Sequence, residues 1–369
     1  MPATLAAQDI WNLVKNGSIS SSFELADKQL QPASLDLTLG QQAYRVRGSF
    51  LPTKAEDVMD LVQQFALYEI DLAKPVTLEK NATYIVKLNE KLKLPKHIYA
   101  YTNNKSSTGR VDLQTRILTN KNPRFDKICA GYEGDLYLEL SPKSFLLTVQ
   151  AGLSLNQIRF FDCQADGNGM DIHAIYDEYH LLYDRAGHPI PQEQALIDDG
   201  LLLTLDLESD IIGYRSKNVN QIMDLTKVGA AKRRDFFQPI HRPDNGCLFL
   251  EKGHFYILSS AEFVRVPPEF SVEMIPYDIA SGEFRSHYAG FFDPGFGYGT
   301  EGEIKGTPGV LEVRVYEDDF ILRPGQPVCK IVYDKLLSPT EVVYGVGDLK
   351  SNYSTQRGPR LAKFFSEEK

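Results

Sequence analysis

The chain has 369 residues, 43% of them hydrophobic, which is enough for two domains with a core each. A formal charge of -9 excludes the broad basic face that a nucleic-acid backbone demands, so nucleic acid is not an expected partner and any bound phosphate is small and held locally.

The opening segment MPATLAAQDIWNLVKNGSI lacks a long apolar run behind a basic cluster and reads as an amphipathic helix with Ile10, Leu13 and Val14 on one side. A cytoplasmic protein without a membrane span is the expectation. Beyond it, Pro and Gly punctuate short runs rich in Val, Ile, Tyr and Phe: VTLEKNATYIVKL, DLYLELS, FLLTVQAGLSL, GCLFLEKGHFYIL, VLEVRVY and FILRPGQPVCKIVY. Such a pattern predicts a mainly β protein with tight turns.

The runs also repeat. Leu78, Glu79 and Lys80 return as Leu250, Glu251 and Lys252, and at the same spacing Ile85, Glu90 and Pro95 return as Ile257, Glu262 and Pro267. Leu138, Glu139, Gly152 and Ile158 are matched, one residue further on, by Leu311, Glu312, Gly325 and Ile331. An ordered series at near-constant offset predicts duplication of a β unit, with domains at 1–200 and 201–369. The stretch from Asp162 to Asp210 has no counterpart in the repeat.

In KSSTGR, backbone N–H groups around Ser106, Ser107 and Gly109, the two hydroxyls, and the charges of Lys105 and Arg110 would suit a di- or triphosphate; a polar surface turn is the alternative. Glu139 and Glu312 sit between apolar neighbours on predicted strands and point to the other face, either as solvent-facing residues or as site acids. In AGFFDPGFGYG, Pro294 and the glycines make a tight turn in which Asp293 could accept from a hydroxyl or cap its own turn. The tail KSNYSTQRG is either unfastened or closes over a phosphate ligand. Cys129, Cys163, Cys247 and Cys329 form no CxxC pair, so neither a zinc knuckle nor a redox pair is signalled and buried free thiols are expected.

Taken in order, QPASLDLTLG, KSSTGR and GYEGDLYLEL in the first half, and DLT, AGFFDPGF, VLEV, LRPG and the Y-x-x-Q-x-G tail in the second, resemble the dCTP deaminase branch of the trimeric dUTPase-like superfamily. The resemblance implies two tandem dUTPase-like distorted β-barrel (β-clip) domains, mainly β with a few short helices, and clefts built between neighbouring copies in a homo-oligomer, a trimer being favoured. It implies hydrolysis of dCTP to dUTP and ammonia, Mg²⁺ held through the triphosphate, and a glutamate that relays protons from water to the leaving nitrogen. dTTP is a possible regulator. The zinc route needs H-x-E and P-C-x-x-C, which this sequence does not contain.

The copies depart from the family pattern in complementary ways. The first keeps Lys105, Ser106, Ser107 and Arg110 but has Cys129 in place of the sugar-binding Asp and Tyr137 in place of a small residue against the base. The second keeps Ala289, Asp293, Val310 and Glu312, but its phosphate loop is reduced to DIASGEFR, with Ser281 and Arg285. The expected working site therefore pairs Lys105, Ser106, Ser107 and Arg110 with Ala289, Asp293, Val310, Glu312, Lys350, Tyr353 and Gln356; the catalytic candidates are Glu312, Arg110, Ser106 and Glu139, the last in the reverse pairing with Ser281 and Arg285, which is expected to be degenerate. A dUTP pyrophosphatase, a bifunctional enzyme and a non-catalytic nucleotide sensor are the alternatives.

Overall fold

Each of the apolar runs quoted above forms strand in the computed structural model, which describes residues 2–165, 171–276, 285–286, 290–316, 318–345, 353 and 356–366. The chain divides into two compact units, 1–166 with 218–235 and 362–369, and 167–217 with 236–361. Residue 200, the expected junction, therefore lies inside the second unit. The reason is local: Leu182–Tyr183, upstream of it, pairs antiparallel with Phe255–Val264 of the second unit.

In the first unit the amphipathic helix Ala7–Lys15 buries Ile10 and Leu13, with Val14 half-buried, and Asp9 accepts from the N–H of Ala6 at its start. The main sheet runs in the order Lys127–Ile128, Ile98–Asn104, Ser154–Asp162, Ser34–Val46, Thr83–Lys93, Glu133–Pro142, Leu113–Leu118. It closes towards a barrel because Asp126 bridges strands from its two ends. The Thr102 N–H donates to Asp126 O at 2.9 Å and the Asp126 N–H to Ile117 O at 3.0 Å. Asn104 adds a tie, its Nδ2 donating to Leu113 O at 2.8 Å. A smaller sheet takes in the returning segment, with Ile222–Asp224 parallel to Leu146–Val149.

The second unit repeats this order in two pieces: Ile211–Ser216, Phe255–Val264 and Thr307–Arg314 in one sheet, Leu201–Thr204, Pro327–Lys335 and Phe270–Pro276 in another. The registers match those of the first unit. Ile85 lies opposite Tyr44 and Glu139, and Ile257 lies opposite Tyr214 and Glu312. The repeated Glu90 accepts from Thr38 N at 2.8 Å and Thr38 Oγ1 at 2.7 Å; Glu262 accepts from Thr204 N and Oγ1 at the same two distances. Burial raises both carboxyls above the usual range, and these hydrogen bonds oppose the rise.

Of the four cysteines only Cys329 is buried; Cys247 is half-buried, and Cys129 and Cys163 are exposed, so the expectation of buried thiols holds for one. The exposed pair lies just outside strand ends, after Lys127–Ile128 and Ser154–Asp162, where the sheet no longer covers the chain. Among the described residues no helix is long and apolar enough to cross a membrane.

Glu262→Ala leaves the Thr204 N–H and hydroxyl without their acceptor and is expected to cost about 2–4 kcal/mol. Urea unfolding followed by circular dichroism measures the loss, and an unchanged midpoint would show that the tie does not hold the unit together.

Candidate functional site

The KSSTGR segment leaves the Ile98–Asn104 strand and makes one helical turn, Ser106–Gly109. Its own hydrogen bonds consume the N–H groups of Thr108 and Gly109, which donate to Lys105 O at 2.8 and 3.0 Å, and that of Arg110, which donates to Ser106 O at 3.1 Å. The Gly109 N–H is therefore not available to an anion, contrary to expectation, because the turn is helical rather than an open nest. Ser107, Thr108 and Arg110 are buried, and Lys105 and Ser106 are half-buried. A polar surface turn is thus excluded.

Lys105 reaches across the Ser154–Asp162 strand to pair with the carboxylate of Asp36. Burial pushes the Asp36 carboxyl up, and the Lys105 charge and hydrogen bond oppose that push. Asp36 lies in the QPASLDLTLG segment but carries no sequence signal of an ion pair. Only the strand order brings it beside Lys105.

Glu139 and Glu312 are both buried, 1% and 4% exposed, so neither faces solvent. Glu139 is engaged by the Arg116 guanidinium, whose Nε donates to Oε1 at 3.0 Å. The same guanidinium lies 3.9 Å from the Phe125 ring centroid and donates to Ser49 Oγ at 3.0 Å. Tyr137, two residues earlier on the same strand face, packs with Val46, Ile85, Leu118 and with Val58 and Val62 of the helix Val58–Phe65. The first-unit hairpin is thereby filled by its own side chains.

Beside this pair lies the half-buried Asp126. Its carboxylate accepts from Ile117 N and Thr102 Oγ1, each at 2.8 Å, yet burial raises it to about 7, against the pull of those bonds and of Arg116. Arg116 and Asp126 went unrecognised in the sequence. Arg116 stands directly opposite Glu139 across the sheet, which becomes visible only once the register is known.

In the second unit Leu311 and Val313 enter the hydrophobic core, which places Val310 and Glu312 together on the other face of Thr307–Arg314. The Asp293–Phe296 turn is closed through its backbone, the Phe296 N–H donating to Asp293 O at 3.0 Å, and Asp293 is buried. Gly297, at φ +63°, lets this turn lie against the next strand, because a Cβ there would collide with Val264 O and stand 2.7 Å from Thr307 N. The tail is fastened: Gln356 Nε2 donates to Pro308 O at 2.8 Å and the Gln356 N–H to Tyr353 O at 3.2 Å. Asp293, Val310, Glu312, Tyr353 and Gln356 are thus all buried in the second unit. Ala289, Lys350 and Ser281 lie outside the described residues, as does the side chain of Arg285.

A duplicated antiparallel β unit with a cation-and-hydroxyl loop in one copy and a buried hairpin carboxylate in each defines the class of protein. Residues 2–164 match the family model of the 2'-deoxycytidine 5'-triphosphate deaminase N-terminal domain, and residues 177–365 that of its C-terminal domain. The chain belongs to the dCTP deaminase family. A crystal structure of 2'-deoxycytidine 5'-triphosphate deaminase from Agrobacterium tumefaciens is 40% identical, with a TM-score of 0.83 over 91% of this chain and 99% of that one. Among curated relatives, the "dCTP deaminase, dUMP-forming" of Methanosphaera stadtmanae is 32% identical over 31% of this chain and 55% of its own length. That of Mycobacterium marinum is 29% identical over 38% of this chain and 71% of its own. The chain spans 55%, 62% and 59% of the length of the first curated relatives it matches.

Because Asp126 holds its proton more tightly folded than unfolded, its contribution to stability is full below an ordinary Asp pKa near 4 and is lost as pH rises through about 7. Relative to wild type, Asp126→Asn is expected to gain stability between pH 5 and pH 8. Parallel denaturation profiles for the two proteins would show that Asp126 is not protonated in the fold.

Proposed function

We propose that the chain hydrolyses dCTP at C4 of the base, releasing ammonia. What supports this reading most is the division between the copies: Glu139 is tied to Arg116 behind a filled hairpin, whereas Glu312 shares a buried face with Val310 on the strand to which the tail is fastened. Lys105, Ser106, Ser107 and Arg110 would hold the triphosphate, and Asp293 would accept from the sugar hydroxyl. Val310 would lie against the base, with Ala289, Lys350, Tyr353 and Gln356 completing the enclosure. Residues of both units would thus serve one reaction in a homo-oligomer, for which a threefold ring is favoured.

Glu312 would take a proton from the water that attacks C4 and return protons to the amino nitrogen. The new C–O bond becomes the 4-carbonyl, the C4–N bond breaks and ammonia departs. Arg110 and Ser106 would keep the nucleotide aligned for this step.

Mg²⁺ fits as a passenger of the nucleotide. The loop offers cations and hydroxyls, its nearby carboxylate Asp36 is engaged by Lys105, and the described residues contain no group of three His, Cys, Asp or Glu side chains placed to hold a metal. When bound, the ion would offset phosphate charge, and the chain's own groups would bind the remaining oxygens.

The first-line product is dUTP. The names of the curated relatives favour a second reading, in which the dUTP is cleaved further to dUMP and pyrophosphate. dTTP is proposed as a regulator that occupies the same pocket.

Purified protein is expected to release ammonia from dCTP with Mg²⁺, and Glu312→Gln and Arg110→Ala are each expected to reduce the rate at least about 100-fold. Glu139→Gln is expected to lower stability by leaving Arg116 without its carboxylate while turnover continues. Full activity of Glu312→Gln would overturn the assignment. Tight dCTP binding with no ammonia would make the chain a nucleotide sensor, and dUMP with pyrophosphate in the same samples would establish the bifunctional reading.

A further inference from the structure

The KSSTGR loop leaves one strand at Asn104 and enters the next at Leu113, and the Asn104 side chain joins those two ends. Its Nδ2 donates to Leu113 O at 2.8 Å, and its Oδ1 accepts from the Thr115 hydroxyl and, at 3.3 Å, from the Thr115 N–H. One amide thus spans the mouth of the loop. The Thr115 hydroxyl in turn accepts from Asn156 Nδ2 at 3.0 Å, and Asn104 O accepts from Gln157 Nε2 at 3.3 Å, so the strand Ser154–Asp162 holds both ends. Asn104 and Thr115 are each 5% exposed and Asn156 is wholly buried. At that depth water does not replace a lost partner, so the clasp is rigid.

The second unit shows the same strand pair without the clasp. Asn104 stands opposite Asn156, and the equivalent pair is Pro276 opposite Cys329. The spacing that carries Ile85 and Glu90 onto Ile257 and Glu262 carries Asn104 onto Pro276, and the one that carries Gly152 onto Gly325 carries Asn156 onto Cys329. Neither proline nor cysteine has a side-chain amide, yet the two strands still pair in register. The sheet therefore does not need the clasp. It is found in the copy whose loop keeps Lys105, Ser106, Ser107 and Arg110, and its residues are replaced in the copy whose loop is reduced to DIASGEFR.

We propose that Asn104, together with Thr115, is a positioning residue for nucleotide binding: it fixes the entry and exit of the KSSTGR loop, so that a triphosphate meets Lys105, Ser106, Ser107 and Arg110 already in place. The proposal rests on the reading of that loop as the triphosphate site. It adds residues outside the recognised motif, and they act through the loop rather than on the nucleotide.

The test uses calorimetric binding of inorganic tripolyphosphate, KM and kcat for dCTP, and urea midpoints, all on the full chain. Asn104→Ala and Thr115→Val are each expected to weaken tripolyphosphate about tenfold and to raise KM by a similar factor with a smaller change in kcat, as the loss of binding rather than chemistry requires. Thr115→Ser, which keeps the hydroxyl, is expected to bind like wild type. A clasp that served stability alone would lower the urea midpoint and leave the affinity of the folded protein unchanged, and that result overturns the proposal. Should Asn104→Ala not fold, the Thr115 variants decide, because equal affinities for Thr115→Val and Thr115→Ser overturn it. If wild type binds tripolyphosphate but releases no ammonia from dCTP, the deaminase reading fails and the clasp is decided by the binding ratios. If wild type does not bind tripolyphosphate, the proposal falls with the loop reading, and ammonia release in the same samples decides the deaminase reading separately.

Discussion

The pairing of Glu139 with Ile85, and of Glu312 with Ile257, sets the frame for both halves of the chain. Because side chains alternate along a strand, a slip of one residue would carry either glutamate into the core and its apolar neighbours out of it. The apolar residues flanking each glutamate prevent that slip. Each hairpin thus presents one carboxylate on the face away from the core, and each is shielded from water by what covers that face.

What covers it differs between the copies, and the difference follows from single residues. Tyr137 is large enough to pack under the helix Val58–Phe65, and Arg116 stands opposite Glu139 and satisfies it. The result is a hairpin whose polar groups are answered internally, with Asp126 closing the sheet beside it. At the equivalent place in the second unit Val310 is small, and the strand is bordered by a glycine turn and the fastened tail. Duplication has therefore preserved the backbone register while the two faces have taken on different chemistry.

Buried charge is managed in the same economical way throughout. Glu90 and Glu262 are offset by threonine donors at identical distances, Glu139 by a guanidinium, and Asp36 by a lysine. Hydrogen-bond donors from the backbone give permanent ties. An ammonium on a flexible stem gives a less rigid tie than a planar guanidinium fork.

Local pattern was enough to establish the mainly β class, the strand runs, the duplication, and the loop, hairpins and tail that carry chemistry. These depend on side-chain alternation and turn residues a few positions apart, so they are written along the chain. The ion pairs Lys105 with Asp36 and Arg116 with Glu139, the closure by Asp126, the engaged Gly109 N–H and the transfer of residues 218–235 and 362–369 to the first unit were not legible. Apart from the Gly109 N–H, which is spent four residues back on Lys105 O, each joins segments well separated in sequence. Strand order and register alone bring them together, so the tertiary structure decided which charges are answered within the fold.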